Sequence, residues 1–301
     1  MSTTGRVTAS KAIFVAQTGR APAVLDERAV ADAVARALAE DVGSGDITSL
    51  AVVRADQLAT AAIVFKQPAV VAGMSVLEHT FKAVDPSLEV SVVINDGISV
   101  DNPPTTAATV TGSARSIVTA ERTALNFVQR LSGVATTAQS FARLAHSSGV
   151  AILDTRKTTP GLRALEKYAV RVGGGTNHRF GLFDAVLIKD NHVRLAGGIE
   201  QAVALARRLR PRDRIEVETT TLDEVEAAVK AGVDAILLDN MSPQTVRQAV
   251  AAISRAAYVE VSGGINLSNI ESYLIPGVDA ISVGALTHSA RSIDISLEVE
   301  W

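Results

Sequence analysis

Two patterns of hydrophobic positions divide the chain. In the first, apolar residues recur at helical or alternating spacing. Val30, Val34 and Leu38 fall four apart and predict a helix over Asp26–Asp41, which Gly43 and Gly45 end. Asp46-Ile47-Thr48 then reads as a turn. Thr60–Phe65 reads as a strand that Lys66-Gln67-Pro68 breaks and Val70-Val71-Ala72-Gly73 resumes, followed by a helix over Met74–Val84. Leu88, Val90, Val92 and Ile94 alternate as one strand face, closed by the Asn95-Asp96-Gly97 turn, and Thr109–Val118 reads as a further strand. Leu125, Val128 and Leu131 mark a helix face, Gly133 is placed to stop that helix, and a second helix is expected over Thr137–His146.

The second pattern is a series of short, continuously apolar runs near residues 151, 186, 215, 236, 259 and 280, the last four about twenty to twenty-three residues apart. Helical stripes lie between them, with Leu222, Val225 and Val229 forming one and Val246, Val250 and Ile253 the next. Strand, loop, helix and strand at this spacing predict parallel β/α units. Strands covered by helices on both faces are apolar throughout rather than alternating. The array either closes as a barrel or stays open as a doubly wound sheet. Six strands are clear, Tyr168–Val172 is a candidate seventh, and Ile293–Trp301 alternates like a strand expected to return to the first, smaller domain.

Composition narrows the reading. The 301 residues carry 47% hydrophobic and 20% charged positions, as a soluble globular protein does. A net charge of -3 argues against a general nucleic-acid binder. Aromatic residues at 4% are too few for a base-stacking platform. Cysteine is absent, which excludes a thiolate nucleophile and Cys-ligated metal. The Ala12-Ile13-Phe14-Val15 run is too short for a signal-peptide core, no stretch is long enough to span a membrane, and the first residues read as a loosely ordered tail.

Chemistry concentrates where the apolar runs stop. Asp154-Thr155-Arg156-Lys157-Thr158, Lys189-Asp190-Asn191-His192, Glu218, Asp239-Asn240, Ser262-Gly263-Gly264-Ile265 and Gly284-Ala285-Leu286 lie at the ends of successive strands. A parallel sheet carries all of them to one end, where β/α proteins bind ligands. Gly263 and Gly264 after one strand and Gly284 after the next allow main-chain amides to approach an anion, which suits phosphate. Arg156, Lys157, Arg179 and Lys189, with His178 and His192 beside them, form a cationic side that calls for a ligand with more than one acidic group. The bland alternative is salt bridges to Asp154, Asp184 and Asp190. Glu218 and Asp239 form an acidic side suited to sugar hydroxyls, Mg²⁺ or a developing positive carbon. Glu216, close beside Glu218, is expected to face the other way.

The ordered set of these stretches resembles the quinolinate phosphoribosyltransferase family. It comprises Glu40-Asp41 with Gly45-Asp46-Ile47-Thr48, Glu121-Arg122-Thr123-Ala124-Leu125-Asn126, Asp154 through Gly161, Gly173-Gly174-Gly175 with Asn177-His178-Arg179, Leu187 through His192, Glu218, Leu238-Asp239-Asn240, Ser262 through Ile265 and Val283 through Leu286. The resemblance covers nearly everything from residue 25 onward. It implies an α/β fold: a tail over 1–24, an N-terminal α/β sandwich domain over 25–129 joined by 288–301, and an open seven-stranded, TIM-like β/α barrel over 130–287. It implies a cytoplasmic homodimer, compatible with higher assembly, in which Arg122 is delivered across the interface. It assigns Arg122, Thr155, Arg156, His178, Arg179 and Lys189 to quinolinate. Lys157, His192, Ser262, Gly263, Gly264, Val283 and Gly284 go to phosphoribosyl pyrophosphate (PRPP) and its phosphates. Lys189, Glu218 and Asp239 are the expected catalytic groups, with Glu218 and Asp239 also holding Mg²⁺. No nucleic-acid or membrane partner is implied.

Three rivals have distinct requirements. A sister transferase acting on nicotinate would need fewer arginines. An aldolase with Lys189 as Schiff base would need an apolar lysine pocket. A phosphometabolite-binding protein would bind ligand without releasing diphosphate.

Overall fold

The structure is a computed structural model that describes residues 25–300; the tail expected over 1–24 lies outside the described residues, as does Trp301. In chain order the first elements are α1 (Glu27–Asp41), α2 (Ile47–Val52), β1 (Leu58–Phe65), β2 (Ala69–Val70), α3 (Met74–Val84), β3 (Glu89–Val92), β4 (Ser99–Val100), β5 (Thr105–Ser113) and α4 (Ala114–Ala145). There follow β6 (Ala151–Leu153), α5 (Arg163–Val172), β7 (Val186–Ile188), α6 (Asp190–Ala196), α7 (Ile199–Leu209), β8 (Ile215–Thr219) and α8 (Leu222–Lys230). The last are β9 (Ala235–Asp239), α9 (Pro243–Ile253), β10 (Tyr258–Ser262), β11 (Ala280–Ser282), α10 (Ala285–His288) and β12 (Ile295–Glu300). Among the described residues no helix is long and apolar enough to cross a membrane.

The chain forms two compact units. Among the described residues, one comprises 25–139, 158–174 and 286–300; the other comprises 140–157 and 175–285.

The first unit is built on an antiparallel sheet in the order β12-β1-β5-β3. β12 pairs with β1 from Thr60↔Glu300 to Phe65↔Ile295, so the last strand closes the sheet on which the first began. Ile63 and Phe65 of β1, Leu77 and Phe81 of α3, and Ile117 and Leu125 of α4 meet in one apolar core, each essentially without solvent exposure. Each such side chain contributes about 1.5–3 kcal/mol by leaving water.

Four expectations change here. Asp46 does not sit in a turn: it is the N-cap of α2, its carboxylate accepting the Ser49 amide at 2.9 Å. β5 ends at Ser113 and helix starts at Ala114, so Ala114–Val118 is helical rather than strand. α4 continues through Gly133 as a single helix to Ala145. Gly133 is there because any side chain would collide with the Arg291 carbonyl. Tyr168–Val172 lies in α5 and is no strand.

The second unit carries a six-stranded parallel sheet in the order β6-β11-β10-β9-β8-β7. The six apolar runs are its six strands. The expected seventh position is a single parallel bridge between Leu153 of β6 and Thr176. All strands run the same way, so their C-terminal ends share one mouth.

Candidate active site

The strand ends of the parallel unit surround a cavity of about 510 Å³. That volume is ordinary for a small-molecule site. Its lining includes Thr155, Arg156 and Lys157 after β6, His178 and Arg179, and Lys189 after β7. Glu218, Asp239, Ser262, Gly263 and Gly264 complete the set expected from the sequence. His192, Val283 and Gly284 are not among the lining residues. His192 instead accepts the Lys189 amide on Nδ1 at 2.9 Å, capping the start of α6. Val283 donates its amide to the Leu153 carbonyl at 2.9 Å, tying β11 to β6. Arg122 belongs to the other unit, where it lines a cleft with Asp41, Asp46 and Thr119 and lies 3.9 Å from Glu121.

Local structure aims each group. Asp154, fully buried at the end of β6, accepts the Asn177 side-chain amide at 2.6 Å and the His178 main-chain amide at 2.8 Å. This holds the His178-Arg179 segment against the strand. Asp184 accepts the Phe180 and Gly181 amides and so folds the loop after Arg179. Two of the three carboxylates expected as salt-bridge partners of the arginines thus order main chain. Burial, followed by the nearby charge of Arg156, holds the Arg179 guanidinium below its ordinary pKa; Glu216 and Asp184 oppose that shift. Two cations that disfavour each other inside a mouth form an anion receptor. Lys189 makes an ion pair with Glu218. The lysine therefore sits against a carboxylate in a polar mouth, unlike the apolar setting an imine-forming lysine needs.

The glycine loop is shaped for close approach. Gly263 has φ +94° and Gly264 φ +64°. A side chain at Gly263 would lie 2.7 Å from the Asn240 nitrogen, which itself donates to the Ser262 carbonyl at 2.9 Å. Only glycine fits there.

Beneath the mouth lies a group the sequence reading missed. Residues two apart on a strand share a face, so Glu216 points inward with Glu218, contrary to expectation. Glu216 and Glu260 are both buried, and His178 Nε2 lies 3.4 Å from the first and 3.5 Å from the second. His178 Nδ1 accepts the Arg179 amide at 2.7 Å, so the ring proton resides on Nε2, facing the acids. Both ring nitrogens of His178 therefore have protein partners. Burial and then the neighbouring Glu216 push the Glu260 carboxyl well above the usual carboxylate range, against the opposing pull of His178 and Ser282. The ligand atoms of His178, Glu216 and Glu260 lie within 4.8 Å of one another, close enough to hold a metal ion. The signal for this group was present: a glutamate inside the apolar run Tyr258–Val261 has no reason to be buried unless it is used.

Two family models together match most of the described chain. The model of the quinolinate phosphoribosyl transferase N-terminal domain matches residues 46–132, and that of its C-terminal domain matches 134–298. A probable nicotinate-nucleotide pyrophosphorylase [carboxylating] of Bacillus subtilis is 41% identical over 261 residues, covering 86% of this chain and 90% of that one. The chloroplastic nicotinate-nucleotide pyrophosphorylase [carboxylating] of Oryza sativa is 42% identical over 284 residues, covering 88% of this chain and 76% of that one. The crystal structure of NadC from Streptococcus pyogenes superposes with a TM-score of 0.88 at 38% identity, covering 92% of this chain and 98% of that chain.

Proposed function

The chain belongs to the quinolinate phosphoribosyltransferase family, and from that premise we propose how its site carries out the family's reaction. It is a decarboxylating nicotinate-nucleotide pyrophosphorylase. It transfers phosphoribosyl from PRPP to quinolinate with decarboxylation, yielding nicotinate mononucleotide for NAD biosynthesis. The observation that carries this reading is the single cavity in which Arg156, Arg179 and Lys189 face Glu218, Asp239 and the Gly263-Gly264 loop.

Arg156 and Arg179 hold the two carboxylates of quinolinate, with Thr155 and Lys189 beside them. His178 serves them indirectly, by fixing the Arg179 main chain. Ser262, Gly263 and Gly264 hold the 5′-phosphate, with Val283 and Gly284 shaping the adjoining strand end. Lys157 and His192 stand on the diphosphate side. On binding, Lys189 exchanges Glu218 for substrate anion, which frees Glu218 for the ribose side. The pyridine nitrogen then attacks C1 as diphosphate leaves, and positive charge developing at C1 is favoured by Glu218 and Asp239. The positive nitrogen of the pyridinium so formed stabilises the electron pair left on C2 when carbon dioxide departs.

Glu218 and Asp239 fit Mg²⁺ by donor chemistry. With substrate phosphates, these two carboxylates would hold the ion, which would supply positive charge to offset a leaving diphosphate. The His178, Glu216 and Glu260 group suits it less, because it is buried and includes a ring nitrogen.

The enzyme acts as a homodimer, compatible with higher assembly, to which Arg122 contributes across the interface; the likeness to NadC over 92% of the chain supports that reading. Its exposed guanidinium lies in a cleft with two acids, available to a neighbouring copy. Mixing inactive Arg122→Ala and Lys189→Ala proteins under subunit exchange should restore activity; exchanged dimers with none would remove Arg122 from the partner's site. A cytoplasmic location completes the proposal, and cell fractionation tests it. The central assay supplies quinolinate, PRPP and Mg²⁺ and follows carbon dioxide and diphosphate together. Equal release of both supports the reaction, and preference for nicotinate over quinolinate would refute it.

A further inference from the structure

Glu260 has no part in the assignments above, yet it lines the floor of the same cavity. Its carboxyl group is fully buried, and neither oxygen meets a partner in hydrogen-bond geometry, although Ser282 and Glu216 lie beside it. A buried polar group left in this state lowers folding stability and calls for a reason. Glu216 lies beside it, with one oxygen likewise unbonded, and His178 Nε2–H is aimed at both acids. Tyr258, two residues earlier on the same face of β10, lies close enough to feel the charges of both acids. Two carboxyl groups so placed cannot both ionise, so one keeps its proton. Glu260 is the deeper and keeps it, because burial and the charge of Glu216 outweigh His178 and Ser282.

The reaction has a matching need. When carbon dioxide leaves, the C2–carboxyl bond breaks and its electron pair stays on C2 of the pyridinium ring. That carbon must take up one proton to become the C–H of nicotinate mononucleotide. The cations at the mouth are committed to carboxylates and phosphates.

We propose that Glu260 is the acid that delivers this proton to C2, approaching in the plane of the ring where the electron pair lies. Its O–H bond breaks as the C2–H bond forms, leaving a carboxylate that accepts from His178 Nε2–H. Water entering through the mouth returns a proton before the next turnover. The inference rests on the functional reading above and adds a residue and a step to it.

The test is Glu260→Gln, which keeps the size of the side chain and removes the acid. Wild type and variant are run through a single turnover with quinolinate, PRPP and Mg²⁺ in an equal mixture of H₂O and D₂O. Mass spectrometry reads the H:D ratio at C2 of the product, alongside carbon dioxide and diphosphate release. The expected result is a changed H:D ratio, since water replaces a carboxylic acid as donor, with carbon dioxide release slowed at least about tenfold, in keeping with general-acid contributions. An unchanged ratio overturns the assignment whatever happens to the rate, because a merely structural role would not alter which donor meets the carbanion. If E260Q fails to fold, E260D decides. It keeps an acid one methylene further away, so it should retain the wild-type ratio with slower carbon dioxide release, and an unaltered rate overturns the proposal. Should the wild type release neither product, the functional reading itself falls and the inference goes with it. Normal wild-type turnover with an unchanged ratio in the variant removes the inference alone.

Discussion

Glu166 in the antiparallel unit and Glu260 in the parallel unit are both without solvent exposure, yet their surroundings are opposite. Glu166 accepts from Arg130 at 3.0 and 2.7 Å, from the Thr159 amide at 3.0 Å and from the Thr159 hydroxyl at 2.7 Å. Arg130 in turn donates to the carbonyls of Ala290 and Thr287. Glu260 has a second acid for a neighbour, and neither of its oxygens meets a partner in hydrogen-bond geometry. The cores around them follow suit. The antiparallel unit packs Ile63, Phe65, Leu77 and Phe81 with their neighbours into an apolar interior, while the parallel unit places His178, Glu216 and Glu260 inside its sheet. A satisfied buried charge ties segments together, whereas an unsatisfied one stores reactivity at the expense of stability.

The largest effect should come from breaking the satisfied side. Glu166→Ala leaves the Arg130 guanidinium without its carboxylate and the Thr159 amide without an acceptor. Loss of one partner from a buried pair costs about 3–5 kcal/mol. A thermal melt at neutral pH should show a drop of roughly 6–20 °C, taking about 2–4 °C per kcal/mol. A change of only a degree or two would mean that this network does not hold the unit together.

Removing a cation from the mouth should act in the reverse manner. Arg156→Ala should lower kcat/KM for quinolinate by about 2–4 kcal/mol, or roughly thirty- to a thousand-fold, through a substrate carboxylate left unpaired. Its melting temperature should stay level or rise, because Arg156 and Arg179 disfavour each other in the ligand-free protein. Unchanged quinolinate kinetics, or a melt that falls as far as that of Glu166→Ala, would erase the distinction between the two regions.

The same contrast explains what the sequence disclosed. Parallel strands were legible because burial on both faces writes a continuous apolar run, as at 235–238 and 258–261, and polar residues mark where each run stops. The mouth followed from that topology, since parallel strands must end together. Less was legible where the deciding contact is distant in sequence. Gly133 looks like a helix stop, but its reason is the Arg291 carbonyl, and nothing near residue 133 announces that. The β5-to-α4 junction at Ala114 lies inside one alternating stretch, where Val110 and Val118 look alike. The buried acids were hidden differently: period two alone places Glu216 with Glu218, but only the coordinates bring Glu260 and His178 to meet it.

The smallest predicted effect reads the unsatisfied side directly, through pH. The Glu260 carboxyl is raised from 4.5 to about 8 in the folded protein. Between those values the folded chain binds this proton more than the unfolded chain does, so stability falls as pH rises. Its favourable contribution is complete below about pH 4.5 and is lost as pH climbs through 8. Glu260→Gln has no proton to lose and lacks this slope. His178, Tyr258 and Glu216 face this carboxyl in both proteins, so to first order the difference between variant and wild type isolates Glu260. From pH 5 to pH 9 the variant should therefore gain on the wild type by about 1–3 kcal/mol, or roughly 2–12 °C in melting temperature. Parallel melting curves across that range would show that the proton is not held at Glu260, and the contrast with Glu166 would then have to rest on hydrogen bonding alone.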